Sequence, residues 1–381
     1  MAERVGVVAV GQTQYHPDRS DVSEEELAYE AVVQVLEATG LTLSDIDSAV
    51  TCSQDFWDGR TISNMNIQRV VGAHLGHEDK VAEDGINAVY VGMSQILSGH
   101  QDIVLVLAHT KESQADKSVV ENAAFDPALM RQLGLDFVSA AAMQAKRYMY
   151  KYGITAQQCA KVAVKNRGNA KNNPLAQEPM DITVEDVLGS KVLSSPIRLL
   201  DTKPTSDGAC ALILAREEKA KKLTNKPVWI LGASNCYEVH YLGDRDLADC
   251  EAVVKAAKKA YSMAGINNPL KQIDVAEVSE EYSYQELLWM EGLGFCGRGE
   301  GGKLLDSGLT KMGGKLPVNP SGGVLSGNPV GVAGMARVAE TVLQLRGEAG
   351  DRQVKGAQVA LAHGVTGICG QHQCVMILGN R

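Results

Sequence analysis

The chain repeats one arrangement of elements, and this repeat limits the folds that it can adopt. Leu36–Val50 has the pattern of a helix end, a glycine stop, a loop and a strand, and Tyr261–Val278 has the same order. Both segments place glycine just after the helix, where a left-handed residue is favoured. A second internal similarity relates the apolar run that ends at His109 to the apolar run that ends at His363. Two related halves are the simplest account, and we place their join near residue 225, which gives domains at residues 1–225 and 226–381.

Strand and helix patterns alternate within both halves. Val5–Val10 and Ile103–Ala108 are apolar runs typical of buried strands, whereas Ser23–Thr39 has helical spacing and opens with a capping box. A long helix is predicted at Asp246–Ala264. This alternation favours an α/β layered fold. Residues 111–200 contain less periodic stretches, which we interpret as a cap or insertion that forms substrate-binding and dimer surfaces.

Four segments, in order along the chain, identify a family. The most specific is the glycine-rich stretch Asn319–Gly334, and it follows Pro204–Ala209, Asp274–Leu288 and Gly292–Cys296. With these residues the chain resembles the thiolase superfamily, nearest to its sterol-carrier and archaeal types, over essentially its whole length. The resemblance implies a thiolase fold, with two βαβ-rich halves in five α-β-α-β-α layers, and a homodimer.

The residues that usually perform thiolase chemistry are replaced here. Ala82 stands at the position of the nucleophilic cysteine, at the start of a predicted helix. Ser279 stands at an expected histidine, and Asn328 replaces the histidine of the glycine-rich segment. The last catalytic segment of the family corresponds to His363–Cys369.

These replacements close one chemical route and leave another open. Ala82 cannot hold an acyl group, so a covalent intermediate cannot form at that position. The Asn328 amide can still donate a hydrogen bond into an oxyanion hole. The backbone around Gly322, Gly323 and Gly327 could help it to stabilise an enolate.

Several polar residues are candidates for the missing acid–base roles. Glu280 and Tyr282 follow Ser279 in the segment that is catalytic in the family, and His363 is the imidazole that remains in such a segment. A glutamate in a half-buried cleft can have a raised pKa and transfer protons. Asp84, beside Ala82, either caps the predicted helix or acts as an acid–base group.

Other residues are candidates for substrate contacts. Tyr284 either contacts substrate or packs against the second half, and Cys369 is either a ligand contact or a buried, inert thiol. Aromatic residues are few, and the candidates for an acyl pocket are Phe56, Trp57, Tyr282, Tyr284 and Trp289.

Three functions remain open. The first is an atypical thiolase-type acyltransferase that cleaves a 3-oxoacyl-CoA with coenzyme A as substrate, in acyl-CoA or aromatic-compound degradation. The second is a retro-aldolase that cleaves a 3-hydroxyacyl-CoA, a reaction that requires no acyl-holding nucleophile. The third is a non-catalytic, acyl-CoA-binding scaffold subunit. Relatives without the standard residues commonly act with a small partner that has a zinc ribbon and an OB-fold, so the resemblance implies such a partner.

Composition narrows the remaining possibilities. A net charge of −9 argues against nucleic acid as a partner. We find neither a signal peptide nor an apolar run long enough to span a membrane, and we expect a cytoplasmic protein. The eight cysteines include no C-x-x-C pair, so the sequence predicts no metal site and no bound cofactor.

Overall fold

A computed structural model describes residues 3–327 and 329–381. The strands in these ranges are β1 Val5–Gln12, β2 Ser48–Cys52, β3 Glu78–Val81, β4 Ile103–Lys111, β5 Val192–Ser194, β6 Ile197–Arg198, β7 Asp207–Arg216, β8 Val228–Tyr237, β9 Val275–Glu277, β10 Val359–Thr366 and β11 His372–Gly379. The α-helices are α1 Glu24–Thr39, α2 Gly85–Leu97, α3 Lys117–Ala123, α4 Phe137–Tyr152, α5 Ala156–Ala170, α6 Val184–Gly189, α7 Glu217–Leu223, α8 Glu251–Ala264, α9 Pro269–Gln272, α10 Ser283–Gly292, α11 Gly301–Asp306 and α12 Val332–Arg346.

Nine of the strands form one mixed sheet with the order β3-β2-β4-β7-β1-β8-β11-β10-β9. The first five strands of this order come from the first half of the chain, and the other four come from the second half. The halves meet where β1 pairs antiparallel with β8, through Gly6 opposite Trp229 and Val7 opposite Val228. The hairpin of β5 and β6 stands apart from this sheet.

The two halves share one strand topology. In the first half β2 and β4 are parallel, and β7 lies antiparallel between β4 and β1. In the second half β9 and β10 are parallel, and β11 lies antiparallel between β10 and β8. Val318 forms a parallel bridge to Ala276 of β9, at the place that β3 takes beside β2. The two related halves are therefore confirmed, while a boundary at residue 225, in the connection between α7 and β8, stays a prediction.

Three buried cores separate the helices and half-sheets into five layers. Helices α1 and α7 cover the outer face of the first half-sheet, where Leu105 and Leu107 of β4 point. Helices α2 and α12 lie between the half-sheets, and Val104 and Val106 of β4 point toward them. Helices α8 and α10 cover the outer face of the second half-sheet. Because successive side chains of a strand alternate between faces, one apolar run such as β4 contributes to two cores.

Local sequence signals account for most helix ends. The capping box at α1 is confirmed, since Ser23 Oγ accepts from the Glu26 amide and Glu26 Oε2 accepts from the Ser23 amide. The helix predicted at Asp246–Ala264 begins later, at Glu251. Asp246 Oδ1 accepts from the Ala248 amide at 3.0 Å and also binds Arg147, so this carboxylate holds a turn instead of a helical start.

The predicted cap at residues 111–200 contains helices α3 to α6 and the β5–β6 hairpin. Helix α4 is bounded by two local signals, because Asp136 caps its start and Gly153 ends it in the left-handed conformation. Every helix within residues 3–327 and 329–381 is too short or too polar to cross a lipid bilayer.

Candidate active site

A cavity of about 420 Å³ lies where segments from both halves end. The first half contributes Gln54–Trp57, which follow β2, and Ala82–Asp84, which precede α2. The second half contributes Val330, Gly331 and Ala333 at the start of α12. Because parallel strands place their carboxyl ends at one edge of a sheet, the loops after them are brought together here.

The other walls come from the end of β10 and from the cap. Val365–Gly367 belong to the segment that the sequence predicted to be catalytic, beginning at His363. Val120, Ala123 and Phe137 close the cavity from α3 and α4. Most of these side chains are apolar, so a bound molecule would lie against hydrocarbon and contact a few charged groups.

Asp84 is the titratable group at the centre of this arrangement. It is the N-cap of α2, its side chain accepts from the Ile86 amide at 2.8 Å, and the residue is only 2% exposed. Burial raises the pKa of Asp84 to about 7, although the amides of Ile86, Gly334 and Gly85 lower it in part. The two interpretations of Asp84 therefore coexist, since the carboxyl caps a helix and also has a pKa suited to proton transfer near neutral pH.

Two helix starts converge on this carboxyl. The Gly85 amide donates to the Gly331 carbonyl at 2.8 Å, which holds the first turn of α2 against the segment that enters α12. A Cβ atom at Gly334 or at Gly364 would lie 2.1 Å from Asp84 Oδ1, so both positions require glycine while Asp84 stays in place. The partial positive charge of helix N-termini favours negative charge at this point.

Among the described residues that line the cavity there is no thiol. Ala82 lines it at the position where the sequence predicted that the nucleophile is missing. The nearest thiol along the chain is Cys52, whose Sγ lies 3.7 Å from the Gly331 carbonyl oxygen, and burial raises its pKa well above the ordinary value. The cavity is therefore suited to proton transfer and not to formation of an acyl-cysteine.

A lysine whose side chain is 8% exposed forms another charged part of the wall together with a glutamate. Lys203 and Glu281 both line the cavity, and their side chains form an ion pair. Burial opposes the charge of Lys203, yet Glu281 and Glu112 outweigh it and raise the pKa of Lys203. Burial also raises the pKa of Glu112 to about 7, with Lys203 acting against that rise.

His363 does not line the cavity, although Val365 of the same strand does. Its Nε2 is 2.6 Å from Gln373 Oε1, and its Nδ1 accepts from the Ser279 amide at 3.3 Å. Gln373 Nε2 donates to the Gly370 carbonyl, so Gln373 Oε1 is an acceptor and His363 Nε2 carries the proton. Burial lowers the pKa of His363 to about 4, which leaves a neutral ring with both nitrogens occupied. The Ser279 side chain is buried as well and does not line the cavity.

Glu280 lies beneath the glycine-rich segment. Its carboxylate accepts from the side-chain amides of Asn166 and Asn319, each at 2.8 Å, and from the Leu325 amide at 3.3 Å. Burial, followed by repulsion from Glu286, raises the pKa of Glu280 to about 8. These contacts hold the segment from below, and Glu280 does not line the cavity.

The predicted glycines shape this segment without lining the cavity. A Cβ atom at Gly322 would lie 2.6 Å from the Ala170 Cβ, and one at Gly323 would lie 2.1 Å from Glu280 Oε1. At Gly327 an added Cβ would meet only ordinary contacts with Tyr15. Asn328 lies outside the described residues, so its predicted role as a hydrogen-bond donor stays a prediction.

The remaining candidates pack in the second half. Tyr282 and Tyr284 are buried with ring centroids 6.3 Å apart, and the Tyr284 hydroxyl donates to Gln144 Oε1 at 2.8 Å. Burial raises the pKa of the Cys369 thiol to about 12, and the Cys369 carbonyl accepts from Gln144 Nε2. None of these three side chains lines the cavity, whereas the predicted aromatic residues Phe56 and Trp57 do.

Sequence reasoning overlooked Lys203. It directly precedes the matched segment Pro204–Ala209, and this proximity was the one available signal. Its role depends on Glu112 and Glu281, which are distant in sequence and meet it only in the folded chain.

Comparisons with known proteins agree with this geometry. Residues 5–194 match the family model for the thiolase N-terminal domain, and residues 233–380 match that for a thiolase C-terminal domain-like region. An acetyl-CoA acetyltransferase of Methanothermobacter thermautotrophicus is 37% identical, over 96% of this chain and 97% of the relative. The benzoylsuccinyl-CoA thiolase subunit BbsB of Thauera aromatica is 30% identical, over 97% and 96% of the two chains. The solved structure of the Ltp2-ChsH2(DUF35) aldolase superposes with a TM-score of 0.86 and 27% identity, over 99% of this chain and 98% of that one. With both of its halves matched, this chain belongs to the thiolase family.

Proposed function

We propose that the chain cleaves the bond between C2 and C3 of a 3-hydroxyacyl-CoA by a retro-aldol reaction, with Asp84 as the acid–base group. The observation that carries this proposal is the pairing of two features in one cavity. The described lining contains no thiol, and it contains a buried carboxyl whose pKa is about 7.

A retro-aldol step uses these groups with atoms and electrons in balance. The Asp84 carboxylate takes the proton of the 3-hydroxyl group, a carbonyl forms at C3, and the bond between C2 and C3 breaks. The electron pair of that bond becomes the enolate of the CoA thioester. Protonated Asp84 then returns the proton to C2, which gives an acyl-CoA and an aldehyde or ketone.

Stabilisation of the enolate is the second requirement. The N-termini of α2 and α12 meet at the cavity, so their partial positive charges favour a developing negative charge. We assign hydrogen-bond donation to the enolate oxygen to Asn328, as the sequence suggested. The Lys203–Glu281 pair places a positive and a negative group side by side at the wall.

Direct thiolysis is less compatible with this cavity. A thiolase that forms an acyl-enzyme can bind one coenzyme A after another at the same site. Without a nucleophile, the CoA of the substrate and the attacking coenzyme A must occupy the cavity together. Among the carboxyls of the lining, Asp84 is the one whose pKa is raised to about 7, and a retro-aldol step needs one such group and one CoA thioester.

Thiolysis of a 3-oxoacyl-CoA remains the second candidate, because one observation supports it. The 37% identity to an acetyl-CoA acetyltransferase exceeds the 27% identity to the aldolase structure. In that reaction Asp84 would deprotonate the thiol of coenzyme A, and cleavage would yield two CoA thioesters.

We also propose that the active form includes a second copy of this chain and a small zinc-ribbon/OB-fold partner. The name of BbsB describes a subunit, and the aldolase structure is named with a DUF35 component. Phe56 lines the cavity yet is 66% exposed, and Val119, which precedes the lining residue Val120 in α3, is 62% exposed. Apolar side chains at the mouth of a site support coverage by another protein.

Product analysis by mass spectrometry tests the proposal. The chain, alone and with a candidate partner, is given a 3-hydroxyacyl-CoA or a 3-oxoacyl-CoA, each with and without free coenzyme A. Asp84→Asn is the test variant, because asparagine still caps a helix but cannot transfer a proton. Asp136→Asn is its matched control, since Asp136 is the exposed N-cap of α4.

The products separate the three functions. An aldehyde or ketone with one CoA thioester, formed without added coenzyme A and lost in Asp84→Asn only, supports the retro-aldol route. Two CoA thioesters that appear only with added coenzyme A would establish thiolysis instead. Tight binding of both substrates with no cleavage, in the presence of the partner, would leave the scaffold function.

A further inference from the structure

Three buried side chains of the first half meet outside the cavity. They are Glu24 in the first turn of α1, Asp58 in the turn after β2, and His109 near the end of β4. One ligand atom from each lies within 4.8 Å of the other two. Glu24 is 4% exposed, Asp58 is 1% exposed and His109 is fully buried, so this cluster lies inside the protein.

The topology of the sheet explains why they meet. Strands β2 and β4 are parallel neighbours, with Cys52 opposite Ala108, so the residues that follow β2 come close to the end of β4. His109 has the same parity as Leu105 and Leu107, whose side chains face α1. Glu24 opens α1 above that face, and the Gln54–Asp58 turn closes the cluster from the side.

Several polar atoms of the cluster have no hydrogen-bond partner. These atoms are both carboxylate oxygens of Glu24, Asp58 Oδ2 and both ring nitrogens of His109. His109 Nδ1 lies 3.2 Å from Glu24 Oε1. Buried charges in proteins are normally paired or bound to a metal, so a concentration of unpartnered carboxylate and imidazole atoms points to a missing ligand.

One oxygen of each carboxylate is held in place. Asp58 Oδ1 accepts from the Lys111 amide at 2.8 Å, and Glu24 Oε2 lies 2.8 Å from Arg60 Nε in an ion pair. One oxygen of each group is thus fixed from outside while the other remains available. Contacts of this kind orient the ligands in metal sites.

We propose that Glu24, Asp58 and His109 bind a divalent transition-metal cation such as Zn²⁺, Co²⁺ or Mn²⁺. One imidazole nitrogen and two carboxylate oxygens are donors that these cations accept, and water can complete the coordination. The cation would offset the two buried carboxylate charges. The expectation of no metal came from cysteine spacing alone, and it did not consider ligands from three separate elements.

The position of the cluster assigns a structural role to the ion. Asp58 directly follows Gln54–Trp57, which line the cavity, so a cation bound to Asp58 would fix this wall of the cavity to β4 and α1. The ion would not contact a substrate in the cavity through these three ligands, because none of them lines it.

Metal binding to the full chain tests the proposal directly. Chelator-treated protein is titrated with Co²⁺, whose visible absorption reports protein ligands, and then with Zn²⁺ in competition. We expect about one bound ion per chain and a higher melting temperature with the ion present. Glu24→Gln, Asp58→Asn and His109→Gln should each weaken binding by about 100-fold or more, because loss of a ligand costs at least as much as loss of a residue that orients one.

His77→Gln is the control, because His77 and Asp79 form an exposed pair, 3.8 Å apart, that could bind cations adventitiously. It should leave Co²⁺ affinity unchanged. If His109→Gln does not fold, Glu24→Gln and Asp58→Asn, which keep the side-chain volume, test whether the cluster binds the cation. No stoichiometric binding to the parent protein, or binding that the cluster variants leave intact, would overturn the proposal and leave His109 as an ion-pair partner of Glu24.

Discussion

Replacing Asp84 with asparagine should yield a protein that is more stable than the parent at high pH and inactive. In the folded chain burial raises the pKa of Asp84 from the ordinary 3.8 to about 7. Each tenfold change in acid dissociation corresponds to about 1.4 kcal/mol, so the ionised carboxyl destabilises the folded state by about 4 kcal/mol. Asparagine removes this cost and keeps an acceptor oxygen for the cap, while its amide N–H faces donors at a cost of about 1–2 kcal/mol.

The sign of the pH dependence follows from the raised pKa. Below the unfolded value of 3.8 both states bind the proton, and Asp84 contributes no penalty. As pH rises from there to about 7, the unfolded chain loses the proton first, so the folded state is progressively disfavoured. The penalty is about 2 kcal/mol near pH 5 and is complete above about pH 8. The stability difference between variant and parent should therefore widen by about 2–3 kcal/mol between about pH 5 and pH 9.

Urea unfolding of both proteins at the two pH values measures this difference. Asp136→Asn should show no such widening, since Asp136 caps α4 at an exposed position. A constant difference between Asp84→Asn and the parent would refute the reasoning, because it would mean that Asp84 titrates in the folded chain as it does in the unfolded one. A gain in stability together with loss of cleavage would identify Asp84 as a group kept for activity at the expense of stability.

Three further predictions concern the same cavity. The kcat/KM for cleavage should rise with pH through about 7 and then level off, because Asp84 must be ionised to accept a proton; a pH–rate profile that is flat between about pH 5 and 9 would contradict this. Gly364→Ala should lower the free energy of unfolding by about 1–3 kcal/mol and remove most of the activity, because the added Cβ would lie 2.1 Å from Asp84 Oδ1. Gly168→Ala is the control, because the space around its added Cβ is open. Lys203→Met should lower the free energy of unfolding by about 3 kcal/mol, because it leaves the Glu281 and Glu112 carboxylates without their cation. Lys171→Met, at an exposed ion pair, should leave the free energy of unfolding in urea nearly unchanged.

The fold was predictable because its signals are local and repeated. The glycine stops after α1 and α8 and the apolar run of β4 identify helix ends and a buried strand without knowledge of the rest of the chain. The duplicated pattern then implies two similar half-sheets. The helix start at Glu251 was missed because the Asp246 carboxylate binds Arg147, a residue of a distant helix.

The site was predictable only where a helix cap defined it. Asp84 was recognisable because a carboxylate stood at the start of a helix beside the missing nucleophile. Glu280 and Glu281 are neighbours in the irregular segment between β9 and α10, and their side chains have different surroundings. Glu281 reaches the cavity and Glu280 holds the glycine-rich segment, and the sequence contains no signal that says which of them faces which side.

Tertiary contacts also decide the role of His363. Both nitrogens of its ring are hydrogen-bonded, one to the Gln373 side chain and one to the Ser279 amide. These two groups belong to another strand and to a loop of the second half. Sequence position placed His363 in a catalytic segment, but the burial of its ring depends on packing between elements. Its place among the acid–base candidates therefore could not be decided before the fold was known.

The position of β1 at the centre of the sheet has a consequence for synthesis of the chain on the ribosome. This strand is among the first segments to be made, yet both of its neighbours, β7 and β8, follow it by about 200 residues. At about 5–20 residues per second, β1 waits roughly 10–40 s before it can pair. During that time an apolar strand with two open edges is exposed to other nascent chains, so we expect the newly made protein to depend on chaperones until β8 has emerged.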